Sequence, residues 1–550
     1  MGDFGHGFVG RREAEFTTLL PLRAKSYSAK ALLELSIAMK GGVDTVKDGP
    51  DPEENLLLPA GYTYFGQFID HDLTFDSTSS LDSSKAAGPT NVRTPRFDLD
   101  CVYGDGPDAQ PFLYDPAGEK LLFGSNPKTA QPDGLAEKDL LRNPDGRAII
   151  GDKRNDENSI VSQIQLAFIK YHNAVVEALR KRDPAALNVP FNLFSSARNE
   201  VRWTYQTLVI EDFLRRIVAK DVLEGLDGKS VVERSRNYAL YTADKRGNLP
   251  REFVAAAYRF GHSGVRTGYR MNASIGSRFS IFPSSEVNTK NAGSESLLGF
   301  DPVTNNQVID SWERFFPISL PYEPVTEDRA EPADEDERVA MRLQFAYKID
   351  TTLVDPLGVL PRVPVAGDAP TKEAEAAIGQ ALPDTVGHPP RPSLALLNLL
   401  RGDAHRVQSG QAVVRALKAS GLDCKELKTS SLVTRQPGTK KGTFKFVSIP
   451  ESLRQETPLW FYVLAEAQEP LVKHFGHDAF DETELLNGIG AGTQLGWVGG
   501  RIVSEVFYGL LDSDPESVVN AAPAGWKPML GASDRVVVRS LLRFADATNA

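Results

Sequence analysis

Apolar positions recur at helical spacing through much of this chain. In the stretch Leu58–Asp76, LPAGYTYFGQFIDHDLTFD, the residues Tyr62, Phe65 and Ile69 mark one apolar stripe and predict a helix. On that helix Gln67 and His71 are i,i+4 neighbours, and Asp70 is i,i+3 from Gln67, so the three share a face while Asp72 points elsewhere. From Ser159 to Arg180 the apolar set is Ile160, Ile164, Phe168, Val175 and Leu179, with Asn155, Asp156 and Ser159 as candidate N-caps. Further helices are predicted around Ser28–Met39, Ser195–Ile217, Glu252–Phe260 ending at Gly261, Leu394–Leu400, Gly410–Ala419, Leu459–Glu469 and Gly488–Leu511. The best strand is Thr443–Ile449. Residues 77–150 are rich in Gly, Pro, Asp and Asn and read as loops and turns wrapped on a core. The acidic run at 324–338 and the Pro- and Ala-rich run at 363–393 read as surface segments. The class is mainly α, with long loops and little β.

Composition narrows the function. At 550 residues, 41% hydrophobic and 25% charged, the chain has the make-up of a globular protein with a substantial core. A net charge of −11 and the lack of a dense basic run argue against nucleic acid. Two cysteines, Cys101 and Cys424, exclude a disulfide framework and a Cys-rich zinc site. No stretch approaches a spanning helix, and the first residues show no Sec-type signal peptide. The expectation is a soluble protein, secreted or cytoplasmic, with no transmembrane segment.

Four motifs carry the chemistry: GQFIDHD at 66–72, GDKRNDEN at 151–158, YRFGH at 258–262 and LNLLRGDAH around 398–405. They resemble, in order, the distal-histidine, catalytic-arginine, proximal-histidine and asparagine-partner motifs of the animal haem peroxidase family, the peroxidase–cyclooxygenase superfamily. Each motif is short, but four in family order are specific, and the resemblance spans about residues 55–510. It implies a large single-domain helical haem peroxidase fold over 55–550, behind an N-terminal arm at 1–54, similar to the bacterial members.

The chemistry asks for these residue types. Cleaving a peroxide O–O bond needs a base that takes a proton from one oxygen and returns it to the leaving one, and a fixed cation for the charge that develops. The resemblance implies His71 as that base, Arg154 as the cation and Gln67 as the amide ordering water or halide. It implies His262 as the haem-iron ligand, Asn398 as its hydrogen-bond partner, and Arg259 and Arg401 as partners of the haem propionates. Asp70 and Glu157 match carboxylates that form ester links to haem in mammalian members, so the cofactor is haem b or an ester-modified haem. Asn158 stands where those members carry the methionine of a sulfonium link. The segment TPRFDLD at 94–100 resembles the family's calcium loop, with Thr94, Arg96, Asp98 and Asp100 joined by Asp72; Arg96 can offer only its carbonyl.

One departure bears on activity. The cyclooxygenase branch carries a radical tyrosine three residues before the proximal histidine. That position is Arg259 here, with Tyr258 one place off. No membrane-binding amphipathic module is evident. The expected function is therefore a peroxidase that reduces hydrogen peroxide, as in a response to oxidative stress, and oxidises small aromatic donors, halides or thiocyanate. The alternatives are a haem-dependent fatty-acid dioxygenase and a silent haem-binding or adhesive protein. His172 reads as structural, and His6, His388, His405, His474 and His477 lack a supporting pattern.

Overall fold

The helix predicted around His71 runs Gly61–Leu73 and forms the centre of the fold. The computed structural model describes residues 14–41, 51–75, 90–91, 93–124, 135–182, 192–273, 278–282, 296–317, 342–358, 360, 393–440, 442–481, 484–485, 492–530 and 536–547. The acidic run 324–338, nearly all of 363–393, and His6 and His388 lie outside the described residues. Immediately before the central helix, strand Glu54–Pro59 pairs antiparallel with Phe345–Tyr347. The helix begins hard against Phe316: a Cβ on Gly61 would come within 2.5 Å of that ring, so glycine is required for the approach. Tyr62, Phe65, Phe68, Ile69 and Leu73 are fully buried, as the apolar stripe predicts. Phe68 stacks on Phe168 with ring centroids 4.8 Å apart, and Tyr205 meets both rings edge-on.

Phe168 belongs to the helix Ser159–Arg182. Its cap differs from the expectation. Asn158 Oδ1 accepts the N–H of Val161 at 2.9 Å, whereas Asn155 and Asp156 lie in the preceding 3₁₀ turn, too early to reach the free N–H groups. The stretch 195–217 is likewise more varied than its periodicity suggests. It comprises the α-helix Asn192–Leu208, a wider π-turn Val209–Leu214 and the short helix Arg215–Ile217. In the π-turn the fully buried Asp212 pairs with Arg216 at 2.8 Å.

The segment before His262 also departs from its prediction. Instead of one helix ending at Gly261, the chain forms Arg251–Ala255, breaks at Ala256 (φ −139°, ψ −73°) and continues as a 3₁₀ helix Ala257–His262. Gly261 does not adopt the left-handed conformation of a helix stop, so the coil carries on and His262 is its last residue. The remaining elements extend or trim the expected ones. Leu394–Ala404 is capped by Ser393, whose Oγ accepts the N–H of Leu396 at 3.0 Å. Ala29–Ala38, Gly410–Ala419, Leu459–Phe475 with Pro470 inside it, Trp497–Ser513 and Val538–Ala547 complete the long helices. Thr443–Ser448 forms a hairpin with Val433–Pro437. The described part of 77–150 is mostly loop, with the short helix Asp100–Tyr103. Near the N-terminus, the N–H groups of Leu19 and Leu20 donate to the Glu252 carboxylate at 2.9 and 3.0 Å, fastening this end to the segment that leads to His262. No helix among the described residues is long and apolar enough to cross a membrane.

Candidate active site

Gln67, Asp70 and His71 emerge together from the Gly61–Leu73 helix into one cavity of about 300 Å³. Arg154 and Glu157 reach it from the 3₁₀ turn Lys153–Asp156 and the residue after it. Arg259, Gly261 and His262 line it from the Ala257–His262 coil. Segments far apart in sequence thus place two imidazoles, the buried His71 and the half-buried His262, on one space. A second cavity of about 620 Å³ adjoins it and shares Tyr64, Gln67, Arg154, Glu157, His262 and Val265 as walls.

The tautomer of His71 follows from a chain of amides. Gln165 Nε2 donates to the carbonyl of Cys101 at 3.3 Å, which turns Gln165 Oε1 toward Asn155 Nδ2 at 2.8 Å. Asn155 therefore presents Oδ1 to His71 Nδ1, 2.7 Å away. A carbonyl oxygen only accepts, so Nδ1 carries the hydrogen and Nε2 keeps its lone pair. Burial, with Arg154 adding to it, pushes the His71 pKa down to about 4, so the ring is neutral at ordinary pH. Sequence reasoning missed the role of Asn155 because it read that residue as a helix cap.

Arg154 is held as firmly. Its Nη2 donates to Asp152 Oδ2 at 2.7 Å and to the carbonyl of His71 at 3.0 Å, and also to the carbonyl of Thr74. The Phe75 ring lies beneath the guanidinium at 4.6 Å. Asp152 is buried, which opposes its ionisation, but Arg154 and Arg93 outweigh burial and hold its carboxyl well below the usual range. The i,i+2 spacing of Asp152 and Arg154 within GDKRNDEN was the available signal for this partner. Glu157 accepts from Gln67 Nε2, lies 3.8 Å from His71 Nε2, and is pushed up to about 7 mainly by burial. Asp70 Oδ1 accepts from Thr74 Oγ1 at 3.1 Å.

Across the cavity, His262 Nδ1 lies 2.8 Å from the side-chain amide nitrogen of Asn398. A half-turn of that amide exchanges its oxygen and nitrogen, so the pair can also run with Nδ1–H donating to Oδ1, the sense that leaves Nε2 unprotonated. Burial, with Arg259 and Arg401 nearby, brings His262 down to about 3. Arg259 Nε donates to the carbonyl of Val254 at 2.9 Å, and its own carbonyl receives Trp460 Nε1 at 3.1 Å. Arg401 sits close enough to lower His262 but is not a wall of the cavity. A Cβ built on Gly261 would meet nothing within 4 Å, so the coil presents an open face here.

A sequence model of the animal haem peroxidase family matches residues 76–310, which hold Arg154, Glu157, the 94–100 loop and His262. The chorion peroxidase of Drosophila melanogaster is 30% identical over 151 residues, 27% of this chain and 17% of that protein. Alpha-dioxygenase 1 of Arabidopsis thaliana is 38% identical over 96 residues, 18% of this chain and 13% of that protein. Residues 76–310 are thus similar in sequence to the animal haem peroxidase family. The chain's matches span less than a fifth of the length of these curated relatives. The fold of peroxidase A from Dictyostelium discoideum superposes with a TM-score of 0.54 at 14% identity, covering 92% of this chain and 90% of that one. A variant of the Oryza sativa fatty acid alpha-dioxygenase, solved with palmitic acid, superposes at 0.50 and 14% identity, covering 96% and 78%.

Behind the Gly61–Leu73 helix, Asp72 turns away from the cavity, as its place in the helix predicts. It meets Asp98 and Asp100, with one carboxylate oxygen of each within 4.8 Å of the others. Leu99, between those two, adopts a left-handed conformation (φ 60°, ψ 33°), a costly state for a non-glycine residue that marks a tightly built loop. Asp72 Oδ2 is buried without a hydrogen-bond partner, and burial, with Asp98 and Asp100 adding to it, pushes its carboxyl well above the usual range. Thr94 Oγ1 donates to Asp98 Oδ2 at 2.6 Å, and the Arg96 side chain turns to Asp514 at 3.6 Å.

Proposed function

We propose that this chain is a haem peroxidase that reduces hydrogen peroxide and oxidises small aromatic donors, halides or thiocyanate. The observation that carries the reading is the pair of neutral imidazoles, His71 and His262, on one cavity beside a fixed guanidinium. The residues fit haem: His262 Nε2 is the iron ligand, Asn398 supports its other nitrogen, the open face at Gly261 leaves room, and Arg259 and Arg401 supply positive charge for carboxylates. Haem, when bound, supplies the two electrons that peroxide takes up and recovers them from the donor. The protein's part is proton and charge control. His71 Nε2 takes the proton of the near peroxide oxygen and returns it to the departing one, with Asn155 holding the tautomer that makes this possible. Arg154 places positive charge where the departing oxygen becomes negative, and Asp152 keeps it aimed. Gln67, fixed between Glu157 and Asn158 Nδ2 at 3.1 Å, is available to order a water or halide.

Asp72, Asp98 and Asp100, with oxygens from Thr94 and the Arg96 carbonyl, suit a calcium ion. A hard divalent cation answers the buried Asp72 oxygen that no donor reaches. Asp70 and Glu157 both face the cavity, which supports reading them as the sites of ester bonds to haem.

One observation favours a second reading, a fatty-acid dioxygenase. The larger cavity is walled by apolar residues such as Ile281, Phe282, Leu297 and Leu298, which would accept an acyl chain. Against it, Arg259 occupies the branch's tyrosine position, and the Tyr258 hydroxyl is engaged with the carbonyl of Gly66 at 3.1 Å. Steady-state peroxide consumption with phenols, bromide, iodide and thiocyanate decides between them, alongside oxygen uptake with palmitate. Peroxide-dependent donor oxidation without oxygen uptake is expected. Oxygen uptake with palmitate and no donor oxidation would replace this reading with the second.

A further inference from the structure

A third cavity, a cleft of about 440 Å³, lies between the helices Ser159–Arg182 and Val538–Ala547 and the segment 308–313. Its walls include the half-buried Trp312 and the cations Lys138, Lys170, Arg539 and Arg543. Two of its acids are already matched: Glu313 pairs with Arg539, and Asp310 with Arg314. Asp546 is the remaining acid. Lys170 makes no ion pair within 4 Å among the described residues; its ammonium lies 5.7 Å from the Phe123 ring. Asp546 and Glu137 lie near enough to Lys170 to favour its charge, but the walls carry four cations to three acids, so the cleft offers an aromatic wall and a net positive lining.

Trp312 is also the outer end of an aromatic line into the haem cavity. Its ring centroid lies 5.9 Å from that of Phe316, which lies 5.1 Å from that of Tyr62, and Tyr62 is a wall of the cavity between His71 and His262. A branch through Phe315 and Tyr269 reaches Tyr64, another wall. Tyr62 is equipped to give up an electron. The Arg216 guanidinium lies 4.6 Å over its ring and disfavours positive charge there, so the proton must leave with the electron. The hydroxyl already donates to Asp212 Oδ2 at 2.5 Å, which places an acceptor for that proton. Asp212 Oδ2 also accepts the N–H of Val538, the first residue of the helix that walls the outer cleft.

We propose that this cleft is a second donor site, at which a bulky phenolic aromatic bearing an anionic group is oxidised through Trp312 and Tyr62 rather than inside the haem cavity. The inference rests on the peroxidase reading. One peroxide accepts two electrons and two protons to become two waters. Two donor phenols each lose one electron and one proton and leave as phenoxyl radicals. Each electron passes from donor to Trp312, then through Phe316 to Tyr62 at the wall of the haem cavity, where haem, when bound, would take it up. The Tyr62 proton moves to Asp212 as the electron departs and returns when the next electron arrives.

The test uses haem-loaded protein. Peroxide is added with a nitroso spin trap and no donor, and the adducts are located by peptide mass spectrometry. An adduct on Trp312 is expected, reduced in Tyr62→Phe. With a sulfonated phenolic azo dye as donor, Trp312→Phe should lower kcat/KM about tenfold or more, leaving guaiacol turnover and the Soret response to peroxide unchanged. Trp312→Tyr should restore much of the dye rate, and Lys170→Gln should raise KM for the dye more than it lowers kcat. A Soret response to peroxide with no Trp312 adduct, an adduct undiminished in Tyr62→Phe, or equal dye turnover in Trp312→Phe overturns the second site and leaves the peroxidase reading intact. A wild-type protein whose haem spectrum ignores peroxide overturns both.

Discussion

His71 and His262 face one cavity from surroundings of opposite kind. Around His71 stand Asp70, Asp152, Arg154 and Glu157, and a run of amides through Asn155 and Gln165 to the Cys101 carbonyl fixes which nitrogen bears its hydrogen. Around His262 there is one neutral amide, two arginines and a short 3₁₀ coil. Burial favours the neutral form of both rings, while His71 has carboxylates and a guanidinium around it and His262 has two arginines. The contrast separates two tasks. In the proposed reading, one imidazole is oriented for proton transfer and the other, supported by a neutral amide, offers its lone pair to a metal.

The most damaging break on the His71 side is loss of the ring itself. His71→Ala is expected to slow the reaction with peroxide about 10²–10⁴-fold, read by stopped-flow at the Soret band. Arg154→Leu should follow at about 10²–10³-fold, with Arg154→Lys intermediate; an unchanged rate would reduce the guanidinium to a structural clamp between Asp152 and the helix end. The Asp72 cluster offers a gentler break, because it supports His71 from behind. Chelation, or Asp98→Ala, should lower the melting temperature by several degrees and reduce activity together. Active protein without calcium by metal analysis rules the ion out.

The pH dependence sharpens the same comparison. In the proposed reaction His71 acts as the neutral ring, and burial pushes its pKa down to about 4 from the ordinary 6.5. The peroxide rate should hold as pH falls past 6.5 and drop with a midpoint near 4. The ring's contribution to stability follows the same sign: the unfolded chain takes up the proton first, so stability declines as pH falls from about 6.5 toward 4. A midpoint near 6.5 would mean that the ring is solvated rather than buried. The smallest effect expected is covalent. After peroxide treatment and denaturation, mass spectrometry should find haem attached, and Asp70→Ala combined with Glu157→Ala should release it. Haem that dissociates freely from the wild type refutes the ester links.

The helices that build the cavity were legible because their apolar spacing is regular: Tyr62, Phe65 and Ile69 are buried as that spacing requires. The shared face of Gln67, Asp70 and His71 followed from helix geometry alone. Local backbone was harder to read. The break at Ala256 and the π-turn at Val209–Leu214 leave no mark in hydrophobic periodicity, since every residue around them is compatible with a helix. Asn155 was misread for a similar reason: an asparagine before a helix caps it more often than it orients a distant ring, and only the fold brings it to His71. The route from Trp312 to Tyr62 joins residues 250 positions apart and depends wholly on tertiary packing.

The division between the two histidines is tested most directly by haem titration of His262→Gly and His71→Gly, followed at the Soret band with and without added imidazole. The expected result is that His262→Gly loses tight haem binding and recovers it when imidazole is supplied, while His71→Gly binds haem like the wild type. Equal loss of haem in both variants, or tight binding by His262→Gly without imidazole, would contradict the assignment of one ring to the metal and the other to the proton.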